Sequence, residues 1–102
     1  MTLKEIGDAW QTIMKLENDE RLTEASHGCA TARVENGYEI DSVMGMYVGP
    51  AVIVTVEAAG RRFEEGGYRR GFAIAGIKGI LMAETSKELK RLREQEKKGK
   101  KP

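Results

Sequence analysis

Disulfide bonding within the chain is excluded at the outset, because the sequence has a single cysteine, Cys29. Histidine is equally scarce. With one Cys and one His there are two soft ligands, and no C-x-x-C or H-x-x-E-H spacing supplies the rest, so neither a metal site nor a cofactor is expected. Long apolar runs are absent too. Ala51 to Val56 is too short to span a bilayer, and Phe72 to Met82 is interrupted by glycine and lysine, so no membrane partner is expected. Met1 is followed by a charged amphipathic segment and not by an apolar core, which argues against a signal peptide. The lone cysteine fits a reducing, cytoplasmic setting.

What is present describes a small globular protein. Forty per cent of its 102 residues are apolar and 32% charged, enough for one hydrophobic core and too little for two. A single domain over residues 1–96 is expected, followed by a basic disordered tail over 97–102. The net charge of +1 hides a polarity along the chain. Residues 1–60 carry four Lys/Arg against ten Asp/Glu, and residues 61–102 carry thirteen against six. An acidic half joined to a basic half suits self-association or a basic face offered to a polyanion.

Leu3, Ile6, Trp10, Ile13 and Met14 recur with helical spacing, and Thr2 with Glu5 has the form of a capping box, so a helix is expected to start at Leu3. Arg21 to Ser26 reads as a further helical turn. From Cys29 the period changes to two. Cys29 to Glu35 reads as a strand closed by an Asn36-Gly37 hairpin turn, and Tyr38 to Val48 as a second strand with a bulge near Ser42 or Gly45. Gly49-Pro50 breaks that strand, and Ala51 to Glu57 forms the next one, where Val52, Val54 and Val56 alternate. Ala59-Gly60 is a turn, and Arg61 to Glu64 a short edge strand.

The following segment, Gly66 to Ala83, holds five glycines, two adjacent arginines and a run of aliphatics. It reads either as a strand from Gly71 to Met82, followed by a separate helix capped by Thr85 and Glu88, or as one helix from about Tyr68. The single helix is preferred, since its apolar face of Ile74, Ile77, Leu81, Thr85, Leu89 and Leu92 crosses the boundary without a phase break. The fold class is then α+β: an antiparallel sheet of three or four strands with an N-terminal helix and a long C-terminal helix, in the order α-β-β-β-α. That order resembles the double-stranded-RNA-binding domains, as do a Gly-Pro pair at Gly49-Pro50 and basic residues near the start of the last helix. No histidine follows Gly49-Pro50 and no lysine-rich helix start is present, so the resemblance is one of topology.

Three function classes follow. In a helix, Gly71, Ala75, Gly79 and Ala83 form one stripe of small residues, open to close approach of another backbone. With Tyr38, Met44 and Met46 on the sheet face away from the helices, they are the expected interface of a non-enzymatic homo-oligomeric binding or assembly module. Alternatively, Arg61, Arg62, Gly67, Tyr68, Arg69 and Arg70 converge near a helix N-terminus and bind an anion, RNA or DNA. A third reading is a small enzyme in which Cys29 and His27, two apart on a strand, share a face as nucleophile and base. The acidic group Asp8, Glu17, Asp19, Glu20 and Glu24 lacks a cation-binding loop pattern and reads as a solvated helix face.

Overall fold

The computed structural model describes the backbone of residues 1–41 and 46–99 and the side chains of residues 1–37 and 52–97. Helix α1 spans Leu3–Asn18, and strands β1 (Glu24–His27), β2 (Ala30–Asp41), β3 (Met46–Ala58) and β4 (Arg61–Gly67) follow before helix α2 (Arg70–Gly99). The four strands form an antiparallel meander in sequence order. The α+β class is therefore observed, with one strand more than the α-β-β-β-α order. Met44 lies outside the described residues, and Tyr38 and Met46 are placed by backbone alone.

Both connections at the helix side of the sheet are two-residue turns. Ala58 pairs with Arg61 around Ala59-Gly60, where φ is +53° and +75°, the geometry of a type I′ hairpin. His27 pairs with Ala30 around Gly28-Cys29, with Gly28 at φ +56°. The expected Asn36-Gly37 turn is not made. Asn36 and Gly37 stay in β2, opposite Val52 and Ala51, because the pairing of two long strands outweighs the local turn preference. Arg21 to Ser26 is likewise not helical, since β1 takes Glu24 onward and pairs with the start of β2. Gly49-Pro50 does not end a strand. Pro50 sits opposite Tyr38, at a point where β3 no longer has β4 beside it, and a strand edge tolerates a missing N–H. The register shifts where Glu39 faces Gly49 but Ile40 faces Tyr47, which puts an extra residue at Val48, while the bulge expected near Ser42 or Gly45 falls outside the described residues.

One sheet face is covered by the two helices. Ala30, Ala32, Val54, Val56, Ala58 and Phe63 meet Ile6, Ala9, Ile13 and Leu16 of α1 and Ala73, Ile74, Ile77 and Leu81 of α2. The other face, over its described side chains, is mostly polar: Thr31, Arg33, Glu35, Thr55, Glu57, Arg62 and Glu64 share it with Ile53. The capping box at Thr2 forms as expected, with Glu5 N–H donating to Thr2 Oγ1 at 3.1 Å and Thr2 N–H to Glu5 Oε1 at 2.7 Å.

Helix α2 is the single element preferred from sequence, beginning at Arg70 instead of Tyr68 and continuing to Gly99, past the boundary expected at residue 96. Thr85 caps nothing, since its hydroxyl donates to the Leu81 carbonyl one turn back. Its inward face departs from the expected one after Leu81. Glu84 and Glu88 take the buried positions, 8% and 7% exposed, while Leu89 and Leu92 are exposed. The Glu84 carboxylate is tolerated there because Arg61 reaches it with both Nη atoms, at 2.9 and 3.2 Å.

Two parts of the fold project beyond this core. β1 accompanies β2 only from Ala30 to Arg33, and β4 accompanies β3 only from Val52 onward. Gly37–Asp41 and Met46–Ala51 therefore continue as a two-stranded arm. Arg61 pairs with Glu84 at one end of β4, and Gly67 abuts Phe72 at the other, so α2 runs away from the arm. Past Glu88 every described residue of α2 is exposed, so its last turns overhang the opposite end. The molecule measures 61 × 33 × 20 Å.

Candidate functional site

The start of α2 is where the sequence concentrated its candidates, and the geometry there is set by Gly67. A Cβ on Gly67 would stand 2.8 Å from Phe72 Cβ and 3.2 Å from the Ala73 nitrogen, so the chain can fold back tightly only with glycine. The Arg69 carbonyl then accepts from Phe72 and Ala73 N–H at 3.1 and 3.3 Å, opening the helix.

Arg70 points across to the C-terminal end of α1. Its Nη1 donates to the carbonyls of Glu20 (3.1 Å) and Leu22 (2.5 Å), and its Nη2 to those of Asp19 (2.9 Å) and Leu16. The Leu16 carbonyl belongs to the last turn of α1 and Asp19 is its C-cap, where helix carbonyls lack intrahelical donors and the dipole is negative, while Glu20 and Leu22 lie in the loop just beyond. Arg70 Nε is buried without a hydrogen-bond partner. The guanidinium is thus a cap for α1, with its four Nη contacts all to backbone oxygen.

The other basic candidates are dispersed. Arg61 is bound to Glu84 and lies over the Phe63 ring at 5.0 Å from its centroid. The hydrogen bond from Arg61 holds the Glu84 carboxyl below the usual carboxylate range, against the opposing effect of burial. Arg62 sits on the polar sheet face, 3.8 Å from Glu64. Arg69 and Tyr68 are exposed at the turn into α2. The six residues Arg61, Arg62, Gly67, Tyr68, Arg69 and Arg70 are therefore not brought to one point: two arginines serve acceptors of the fold, and two face different sides.

Gly71, Ala75, Gly79 and Ala83 do lie together, on the exposed side of α2. No atom comes within 4 Å of where a Cβ would stand on Gly71 or Gly79. The close intramolecular approach is instead made at Gly76, where a Cβ would be 2.9 Å from Glu65 Cγ on β4. Beside the stripe stand Phe72 and Met82, 66% and 61% exposed, and Tyr68, 64% exposed. Within α2, Phe72, Ala75, Gly79 and Met82 are separated by three, four and three residues, the spacing of a seam between paired helices. A cleft of about 850 Å³ opens at the N-terminal end of this seam, lined by Glu17 of α1, by Glu20 just beyond it, and by Arg69, Phe72 and Ala75. Of these, Glu17 is also in contact with Lys78 of α2 at 2.5 Å. Sequence reasoning found the small residues but missed Phe72 and Met82, although their heptad spacing was available.

Cys29 and His27 do not share a strand face. Cys29 occupies the second position of the β1–β2 turn and is exposed, so it is neither a core residue nor aligned with His27. Its thiol is pushed up by partial desolvation and by the neighbouring Asp8 carboxylate, opposite to what a nucleophile requires. Asp8 accepts from Cys29 N–H at 3.2 Å, and that backbone hydrogen bond lowers its own carboxyl. Gly28 is required twice over, by its positive φ and because a Cβ would lie 2.3 Å from Asp8 Oδ2. The remaining acidic candidates are split, Glu17 to Lys78 and Asp19 to Arg21. Among the described residues no group of three or more His, Cys, Asp or Glu could hold a metal ion, and no helix is long and apolar enough to cross a membrane. No protein-family model, curated protein or solved structure matches this chain.

Proposed function

We propose that this protein is a non-enzymatic assembly module that pairs with a second copy of itself through the exposed face of α2. The observation that carries the reading is the seam itself. Phe72 and Met82 project from a surface whose other members are Gly71, Ala75, Gly79 and Ala83, so large side chains alternate with open backbone on one helix. Large apolar groups beside glycines give knobs and the space to receive them, and an antiparallel copy supplies both. The division of charge between the two halves of the chain favours the same kind of partner. An RNA-, DNA- or phosphate-binding role is less favoured, because Arg61 and Arg70 are held by acceptors of the fold and Arg62 and Arg69 do not converge.

Sedimentation velocity at tens of micromolar tests this directly. The wild-type chain should sediment as a dimer, and Gly79→Leu should dissociate it. That substitution enters open space and replaces the poorest helix former but proline, so the monomer itself should gain up to about 1 kcal/mol. A wild-type protein that remains a strict monomer at those concentrations would rule the proposal out.

A further inference from the structure

We infer that the free edge of β4 is a second self-association surface, at which two copies join their sheets by antiparallel β4–β4 pairing centred on Phe63. The contact uses a different surface from the α2 seam and does not rest on it. It is also the weaker of the two. Arg61 to Glu65 is ~17 Å of strand in a sheet layer about 10 Å deep, far less than the ~800 Å² per partner of a stable interface, so the pairing belongs at protein concentrations on the order of hundreds of micromolar.

The edge is open. β4 ends the sheet on one side, with β3 as its neighbour strand and no further strand beside it among the described residues. Ala58 and Arg61 flank a two-residue turn and form its closing hydrogen-bonded pair, so Phe63 and Glu65 also bond to β3, whereas Arg62 and Glu64 turn their N–H and C=O groups outward. Their side chains, on the polar sheet face, are 57% and 52% exposed. α2 does not cover this edge. The Glu65 side chain passes Gly76, which lies about 100° round the helix from the core-facing Ile77, so β4 runs beneath the outer flank of α2 and its edge lies outboard. Helices pack about 8–10 Å apart and strands about 4.8 Å apart, so two helices match four strands, and a partner sheet joined at β4 continues the same ratio.

The order of charges selects a second copy as the occupant. β4 begins Arg61-Arg62-Phe63-Glu64-Glu65, a sequence that is unchanged when it is reversed and its signs are exchanged. With Phe63 opposite its own copy in an antiparallel pair, Arg62 meets the partner's Glu64 and Arg61 meets the partner's Glu65. In that register the outward backbone groups of Arg62 and of the partner's Glu64 face each other and exchange both N–H···O bonds. Arg62 and Glu64 are already 3.8 Å apart within one strand, so the Arg62 and Glu64 side chains of both copies form a square of alternating sign. Shifting to the next hydrogen-bonding register puts Arg62 on Arg62 or Glu64 on Glu64, where like charges directly opposite are destabilising. A strand edge charged with one sign repels a second copy, whereas this edge favours one alignment of it.

The test uses the full-length Gly79→Leu chain, in which the α2 seam is blocked. Sedimentation equilibrium from tens to hundreds of micromolar should show a monomer passing to a dimer and no further. Adding either Arg62→Glu or Glu64→Arg sets like charges opposite each other and should weaken that dimer about tenfold at low salt, while both together restore opposite signs and should recover it. Glu64→Pro should abolish the dimer without reference to charge, since an outward N–H on an edge strand is where proline is tolerated in the monomer. Circular dichroism verifies that each chain is folded. Amide exchange reads the backbone pairing itself: the Arg62 and Glu64 N–H groups should be unprotected in dilute protein and protected in the dimer, with Phe63 and Glu65 protected in both. A Gly79→Leu chain that stays monomeric at hundreds of micromolar, or a dimer in which the Arg62 and Glu64 amides remain unprotected, would overturn the edge pairing and leave the α2 pairing standing. A mass that keeps rising with concentration would overturn the two-fold arrangement. A wild-type chain that is monomeric at tens of micromolar and dimerises at hundreds with the charge dependence above would establish the edge pairing and exclude the α2 pairing.

Discussion

Replacing Arg70 by methionine removes the guanidinium while keeping the aliphatic stem. Of its four acceptors, the carbonyls of Glu20 and Leu22 are exposed and would be rehydrated, whereas the contacts to Leu16 and Asp19 are part-buried. Taking about 0.5 kcal/mol for each exposed bond and about 1.5 kcal/mol for each part-buried one gives a gross loss of about 4 kcal/mol. Deleting the buried, unpartnered Nε returns about 1 kcal/mol. The net cost is about 3 kcal/mol, a fall in Tm of about 12–24 °C for a domain of this size. Arg70→Lys should fall between, since one ammonium cannot reach four carbonyls in a fixed fork. Urea titration followed by circular dichroism measures all three, with Arg69→Met as an exposed neighbour expected within about 0.5 kcal/mol of wild type. An Arg70→Met protein as stable as Arg69→Met would refute the capping role. Stabilisation of wild type by inorganic phosphate, lost in Arg70→Met, would show that the guanidinium serves an anion instead.

Two further outcomes are expected. Ala59 adopts φ +53° in the β3–β4 turn, so Ala59→Asn should stabilise the fold by about 0.5–1 kcal/mol, read as a higher urea midpoint with an unchanged slope, and Ala59→Val should lower that midpoint. Asp8, Glu84 and Glu88 all have carboxyl groups lowered in the fold, by the Cys29 N–H, Arg61 and Arg91 respectively. A carboxyl whose folded pKa is depressed contributes fully above its unfolded value near 4 and loses that contribution as pH falls through the folded value. Stability measured by urea titration should thus be flat from pH 8 to about pH 5 and decline below it, and Glu84→Gln should make the decline shallower.

The elements that sequence revealed are those whose local signals agree with their tertiary use. Val52, Val54 and Val56 alternate because β3 has one buried face, and Thr2 with Glu5 caps α1 in the structure as its spacing suggests. The apolar phase across Thr85 correctly joined α2 into one helix. The failures came where partners distant in sequence decide. β1 has only four residues of weak strand propensity, and its carbonyl at Ser26 is held by Lys15 Nζ at 2.8 Å. Gly37 had the chemistry of a turn but lies in a paired strand, with Ile53 Cδ1 3.1 Å from where its Cβ would stand. Burial of Glu84 has no local signal, because its cation lies 23 residues earlier. The Arg70 cap spans 48 to 54 residues and has no local signature. Within the candidate site, spacing revealed the small-residue stripe but not that Gly76, and not Gly79, supplies the close contact inside the monomer.

That long-range cap also bears on how the chain reaches its fold. Every strand pairs with its neighbour in sequence, and two of the three connections within the sheet are two-residue turns, so the meander can form through short loop closures. Joining the end of α1 to the start of α2 requires the whole sheet to be in place between them. Arg70 is therefore expected to act after the rate-limiting step, as a bolt on an assembled body. Its loss should appear as faster unfolding with little change in the folding rate.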